Sequence, residues 1–207
     1  MGVKDSLGES KKFVFLALAL LFVCVLIIFA MKSGLYNSTG SLIGGKNTYE
    51  KAEYILEDKY DYTIVITTIY GDIKIDLYEN MAPENVNSIL FLIGERYYEG
   101  LTFHKVIKNF VLQAGDVKGD GTGDPGYSVK KENLVDFEDY TVGMANASQF
   151  FIVLPNSSKS SFNGQYSVIG KVTEGFVVLD SIQKVEVDTD YRPINDVVIK
   201  SIQIHEN

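Results

Sequence analysis

The sequence predicts a mainly β domain of about eight short antiparallel strands and two helices, behind one membrane-spanning helix. Three observations point there. Residues 13–31 (FVFLALALLFVCVLIIFAM) run for 19 residues without a charge. Beyond residue 60 the chain breaks into short β-branched or alternating stretches separated by Gly and Asp turns. Only two later stretches carry helical spacing.

At 1.5 Å rise per residue the apolar run spans roughly 28 Å, close to the ~30 Å hydrocarbon core of a bilayer. It exceeds the apolar region of a cleaved signal peptide, and Ala30-Met31-Lys32 is a poor cleavage site. Cys24 inside it reads as a small apolar residue. Lys4, Lys11 and Lys12 precede the run and Lys32 and Lys46 follow it, a bias that puts the N-terminus in the cytoplasm and the C-terminal domain outside it. The expected organisation is a cytoplasmic tail over 1–12, a transmembrane anchor over 13–31, a flexible Gly/Ser/Asn-rich tether over 32–58, and a globular domain over 59–207. A short helix is expected within 49–58.

Residues 62–68 (YTIVITT) and 73–78 (IKIDLY), joined by Gly71-Asp72, predict a hairpin. Pro83 then opens a helix whose Val86, Ile89, Leu90 and Ile93 share one face, with Gly94 or Gly100 ending it. Strands are expected at 102–107, 110–114, 140–146, 149–154, 166–172 and 197–205, with a second helix over 175–184. Eight strands make a barrel whose interior is just filled by side chains, so a ligand must sit on an outer face or among loops.

Composition excludes several functions. One Cys rules out a disulfide framework, and His104 and His205 alone leave little for a zinc site. The net charge is −8; residues 1–58 hold six basic and six acidic residues, so all of it falls on 59–207, against nucleic-acid binding. The loop 116–127 (DVKGDGTGDPGY) has Asp116, Asp120, Gly121 and Asp124 at calcium-loop positions, but Lys118 and Tyr127 stand where ligands are needed. No Gly-Lys-Ser/Thr or Gly-x-Ser-x-Gly occurs. Three Asn-x-Ser/Thr acceptor patterns, at Asn37, Asn146 and Asn156, carry no further reading here. No metal and no cofactor are expected.

Two runs concentrate polar and aromatic residues. FHKVIKNFVLQAGD at 103–116 reads, taken alone, as ordinary strand with an exposed Lys and His. In ASQFF at 147–151, Gln149 and Phe151 project to one face and Phe150 to the other, so one phenylalanine feeds the core and the other a pocket, or both are core.

From about residue 60 to 206 the chain resembles a cyclophilin-type peptidyl-prolyl isomerase. The matching pieces are APENV at 82–86, YYEGLTFHKVI at 97–107, FVLQAGD at 110–116, GTG at 121–123, MAN at 144–146, SQFF at 148–151 and GKV at 170–172. The resemblance implies a closed eight-stranded antiparallel β-barrel capped by two α-helices, and an X-Pro groove on its outside. It implies a proline pocket of Phe110, Val111, Phe151 and Phe162, peptide hydrogen bonds from Gln113 and Asn146, and a neighbouring wall of Ala145 and Gln149. His104 and Tyr166 flank the groove, and Lys105, Phe110 and Gln113 carry catalysis. The chain departs from the family at three places. Lys105 stands where the family has arginine, which implies a slow enzyme. Ala147 alone separates Asn146 from Ser148, where the family has a longer loop, which implies a more open groove. Ser161 lies near a position often held by tryptophan, and the chain has no Trp, which implies weak cyclosporin binding. The implied partners are X-Pro segments of unfolded or flexible proteins, met at a membrane surface; a module that holds Pro segments with little catalysis is the alternative.

Overall fold

Tyr62–Thr68 (β1) and Gly71–Leu77 (β2) pair antiparallel around a tight turn, as their period-two pattern predicts. The structure is a computed structural model that describes residues 48–132 and 135–207. The anchor expected at 13–31 lies outside the described residues; among these, no helix is long and apolar enough to cross a membrane.

Helix Pro83–Gly94 (α1) starts on Pro83, with Glu84 in its first turn, and buries Val86, Ile89, Leu90 and Ile93 as its spacing predicts. It stops where Arg96 turns left-handed. The chain continues through Lys105–Ile107 (β3), Val111–Ala114 (β4), Thr141–Met144 (β5), Phe150–Val153 (β6), Ser167–Glu174 (β7), helix Phe176–Ile182 (α2) and Ile199–Glu206 (β8). Among the described residues the strands form one sheet in the order β3-β4-β6-β5-β7-β2-β1-β8, with neighbours antiparallel.

The expected closed barrel is a curled sheet instead. Strands β3 and β8 share no ladder. Three backbone hydrogen bonds, Gly100 to Ile199, Ile199 to Leu101 and Phe103 to Val197, join the segments that precede them, with one bridge at Thr102–Val198. The strand expected over 102–107 is therefore only Lys105–Ile107, because Thr102 and Phe103 pair with the C-terminal segment. The strand expected over 140–146 stops at Met144, because Ala145 N–H closes a turn onto Gln149 O.

Residues 48–58 are expected at the end of a flexible tether, with a short helix within 49–58. They lie instead against the domain, without helical structure. The Asn87 side chain on α1 accepts from the Ile55 and Leu56 N–H groups at 2.7 and 3.2 Å and donates to Glu53 O at 2.9 Å. Tyr49 donates its N–H to Pro125 O at 2.7 Å and sets its ring edge-on to Phe91 at 5.2 Å. Leu56 is buried in the main core.

Two apolar clusters result. The larger fills the inside of the curled sheet and the space under α1 and α2, with Ile64, Ile75, Val106, Leu112, Phe150 and Ile152 among its members. The smaller lies on the other face and contains Val111, Phe137, Phe151, Val153, Phe162 and Val168.

Candidate active site

Strand register assembles the site. Lys105 on β3 pairs with Gln113 on β4, Gln113 with Phe151 on β6, Phe151 with Gly143 on β5, and Gly143 with Val168 on β7. Direct cross-strand partners share a face, so these five form one row on the outside of the sheet. Two residues along, Ile107, Val111 and Val153 form the next row. The row between, Val106, Leu112, Ile152 and Val142, points inward and is buried in the main core. Alternation alone separates the groove from the core.

The outer rows floor a groove of about 280 Å³ lined by Lys105, Ile107, Phe110, Val111, Gln113, Ala145, Phe151, Ser161, Phe162 and Tyr166. Its apolar side is a set of touching rings. Phe110 lies 5.1 Å from Phe162, Phe162 5.4 Å from Phe151, and Tyr166 5.1 Å from Phe151 at 80°. Tilted and edge-on contacts of this kind stabilise by roughly 0.5–1.5 kcal/mol each beyond burial. A pocket of this size and character fits a small apolar ring.

The polar side is set by a relay. Gln149 is buried, and its Nε2 donates to Gly123 O at 2.7 Å and Gly121 O at 3.2 Å. Carbonyls only accept, so the Gln149 amide has one possible orientation. Its Oε1 then receives Gln113 Nε2 at 2.9 Å. The groove amide of Gln113 is thus held with its Oε1 left over to accept from a bound peptide N–H. The Gly loop is itself braced by Asp116, whose carboxylate accepts from Lys118 N–H at 2.9 Å and from Gly121 N–H. Lys105 enters no ion pair among the described residues, so its ammonium is not committed elsewhere.

Eight of the eleven residues expected at the site line this groove: Lys105, Phe110, Val111, Gln113, Ala145, Phe151, Phe162 and Tyr166. Three are placed differently. Asn146, expected to bond a peptide, spends its side chain on its own turn: Oδ1 accepts from Ser148 and Gln149 N–H at 2.9 and 2.7 Å, and Nδ2 donates to Gly123 O at 3.0 Å. Gln149 stands behind Gln113 rather than on the groove wall. His104 is 6% exposed, and neither ring nitrogen has a hydrogen-bond partner among the described residues. Burial holds its pKa below the ordinary imidazole value; Asp116 opposes that effect, and Lys105 and Arg192 add to it. Ile107 lines the groove and follows from the alternation begun by Lys105, but the family motif does not single it out.

A larger hollow of about 480 Å³ lies between the docked segment and α1, lined in part by Glu50, Lys51, Glu84 and Asn87. It gathers none of the expected site residues, and size alone does not make it the site.

A family model described as cyclophilin type peptidyl-prolyl cis-trans isomerase/CLD matches residues 63–204. The chain belongs to that family. Among similar proteins, "Peptidyl-prolyl cis-trans isomerase-like 3" of Gallus gallus is 38% identical over 159 residues, covering 70% of this chain and 96% of the relative. "Peptidyl-prolyl cis-trans isomerase 10" of Caenorhabditis elegans is 32% identical over 157 residues, covering 70% and 96%. The crystal structure of a Cryptosporidium parvum cyclophilin type peptidyl-prolyl cis-trans isomerase superposes with a TM-score of 0.66 at 31% identity, covering 72% of this chain and 99% of that one. A second structure of that protein, in the presence of the dipeptide ala-pro, gives 0.65 at 32% identity, covering 70% and 99%. This cyclophilin's match begins at residue 63, so the docked segment 48–58 lies outside it.

Proposed function

We propose that this chain catalyses rotation about X-Pro bonds in the groove floored by the Lys105–Gln113–Phe151 row. The observation that carries the reading is one outer face that joins an aromatic notch, a held amide and an uncommitted ammonium. Rotation about a peptide bond faces a barrier of roughly 18–20 kcal/mol, because it breaks amide resonance. In the twisted state the prolyl nitrogen regains its lone pair. Phe110, Val111, Phe151 and Phe162 hold the ring, Gln113 fixes the flanking backbone, and Lys105 donates to the nitrogen as its charge develops. The ring pocket and the backbone anchor favour the twisted geometry by position, and the lysine contact adds an interaction that strengthens toward the transition state.

Lysine supplies that charge without the planar fork of arginine, which sets the rate below that of arginine-bearing members. A module that grips Pro segments without turning them over is the second reading, favoured by Lys105 and by the shortened 145–149 turn. The substrates are X-Pro segments of unfolded or flexible proteins, consistent with the ala-pro dipeptide present in the second Cryptosporidium parvum structure. The apolar run 13–31 anchors the chain, with 1–12 cytoplasmic and the domain on the other face, where it assists protein folding. Protease treatment of intact against lysed cells tests that orientation.

A protease-coupled isomerisation assay on the full chain tests the activity. Turnover lost in Phe110→Ala supports the proposal; peptide binding without rate enhancement supports the second reading. Ser161 lines the groove where a tryptophan would extend it, so cyclosporin titration is expected to give weak binding, and tight binding contradicts that expectation.

A further inference from the structure

We infer that Phe137, which does not line the groove, is a positioning residue for the proline pocket, and that Gly143 serves to leave room for it. The inference rests on the proposed isomerase reading and adds the part that keeps the pocket rings in place.

Phe137 is 4% exposed and sits in the loop before β5. Its ring stacks on Phe151 at 5.6 Å and 16°, and meets Phe162 at 5.4 Å and 48°. Phe151 and Phe162 are themselves 5.4 Å apart, so the three rings form a closed triangle with two corners in the groove and one behind it. A flat ring has two faces. Phe137 covers one face of Phe151, and Tyr166 meets that ring at 80°. With those neighbours in place, Phe151 has little freedom to tilt.

The backbone fixes Phe137 to the same corner. Its N–H donates to Asn163 Oδ1 at 2.8 Å, and Asn163 follows Phe162 directly. The loop is tied down beside it: Thr141 Oγ1 donates to Glu138 O at 2.8 Å, Lys171 pairs with Glu138 at 2.7 Å, and Lys159 pairs with Asp139.

Gly143 explains why the space exists. It stands opposite Phe151 in the β5–β6 ladder, where any other residue points a side chain at that ring. A Cβ there would lie 2.5 Å from Phe151 Cζ and 2.7 Å from Phe137 Cε1 and Cζ. Those distances are too short for a methyl group, so the stack and a side chain at 143 exclude each other. The glycine is needed for volume here, not for backbone freedom.

The consequence is chemical. The pocket must hold the proline ring still while the flanking backbone turns, and loosening of about 1 Å at such a site costs up to about 100-fold in rate. Truncating Phe137 frees Phe151 and Phe162 to tilt without removing any groove atom.

The test uses the full chain and three variants: Phe137→Leu, Gly143→Ala, and the two combined. Phe137→Leu is expected to lower kcat about tenfold or more per folded molecule, with a smaller change in KM. Gly143→Ala is expected to do the same by pushing Phe151 out of place. The double variant is expected to stay slow, because the methyl group at 143 still lies against Phe151 whichever side chain stands at 137. Unchanged kcat in Phe137→Leu, or rate losses that vanish once corrected for the folded fraction, would overturn the inference. If the unaltered chain shows no turnover, the isomerase reading fails on its own. The variants are then read by NMR of the Phe151 ring: faster ring flipping in Phe137→Leu supports the positioning role, and unchanged flipping overturns it.

Discussion

Phe150 and Phe151 are consecutive on β6 and belong to different parts of the molecule. Phe150 points into the main core, where Tyr98 and Phe103 meet it edge-on at 5.8 and 6.3 Å. Phe151 points out, into the smaller cluster that floors the groove. The inner face is buried and mixes aliphatic and aromatic side chains drawn from all eight strands. The outer face depends on a few rings and one glycine, and stays open to solvent at Phe110 and Ala145. One strand therefore supports stability on one side and chemistry on the other, and substitutions on the two faces should separate these properties.

The largest effect is expected at the inner face. Phe150→Ala leaves a cavity and should cost about 3–5 kcal/mol in chemical denaturation. Phe110→Ala, at a half-buried ring tilted against Phe162, should cost only about 1 kcal/mol while removing turnover. Equal stability losses in the two would erase the distinction. Next, Lys105→Arg should raise kcat/KM by tenfold or more, where each factor of ten is about 1.4 kcal/mol of transition-state stabilisation. A rate no faster than that of the unaltered chain would show that the lysine is not what limits the outer face.

A third prediction concerns the docked segment. Asn87→Ala removes the acceptor of the Ile55 and Leu56 N–H groups and should cost about 1–3 kcal/mol. Hydrogen exchange at those two amides should quicken while exchange on β6 stays slow. The smallest effect is expected from His104. Its folded pKa lies below the unfolded value, so the unfolded chain takes up the proton first as pH falls. Its contribution to stability is whole above the unfolded value near 6.5 and is lost as pH falls from there toward the folded value. A modest fall in Tm between pH 7.5 and 5 is expected, and His104→Leu should reduce it; an unchanged pH profile in that variant would remove His104 as the cause.

The hairpin, α1 and the two-faced strands were legible because each rests on local periodicity, and Val86, Ile89 and Ile73 fall where their spacing puts them. The groove residues Lys105, Gln113 and Phe151 came from the family resemblance, since the run 103–116 taken alone reads as ordinary strand and Phe151 as core or pocket. What the sequence hid is tertiary. Residues 48–58 look like a linker because nothing in them announces that Asn87 will bind their backbone. Phe137 lies in a loop without periodicity, and Gly143 reads as a plain strand residue until the ring beside it is seen. Asn146 was assigned to the substrate by its motif, yet the short turn at 145–149 claims its side chain first.

The central claim is that the outer row turns an X-Pro bond over. Two-dimensional NMR exchange spectroscopy on a short X-Pro peptide with a catalytic amount of the full chain tests it directly. The account predicts cis–trans exchange peaks with the unaltered protein, stronger ones with Lys105→Arg, and none with Phe110→Ala. Peptide signals that shift on binding without any exchange peaks, in the unaltered protein and in Lys105→Arg alike, would contradict it.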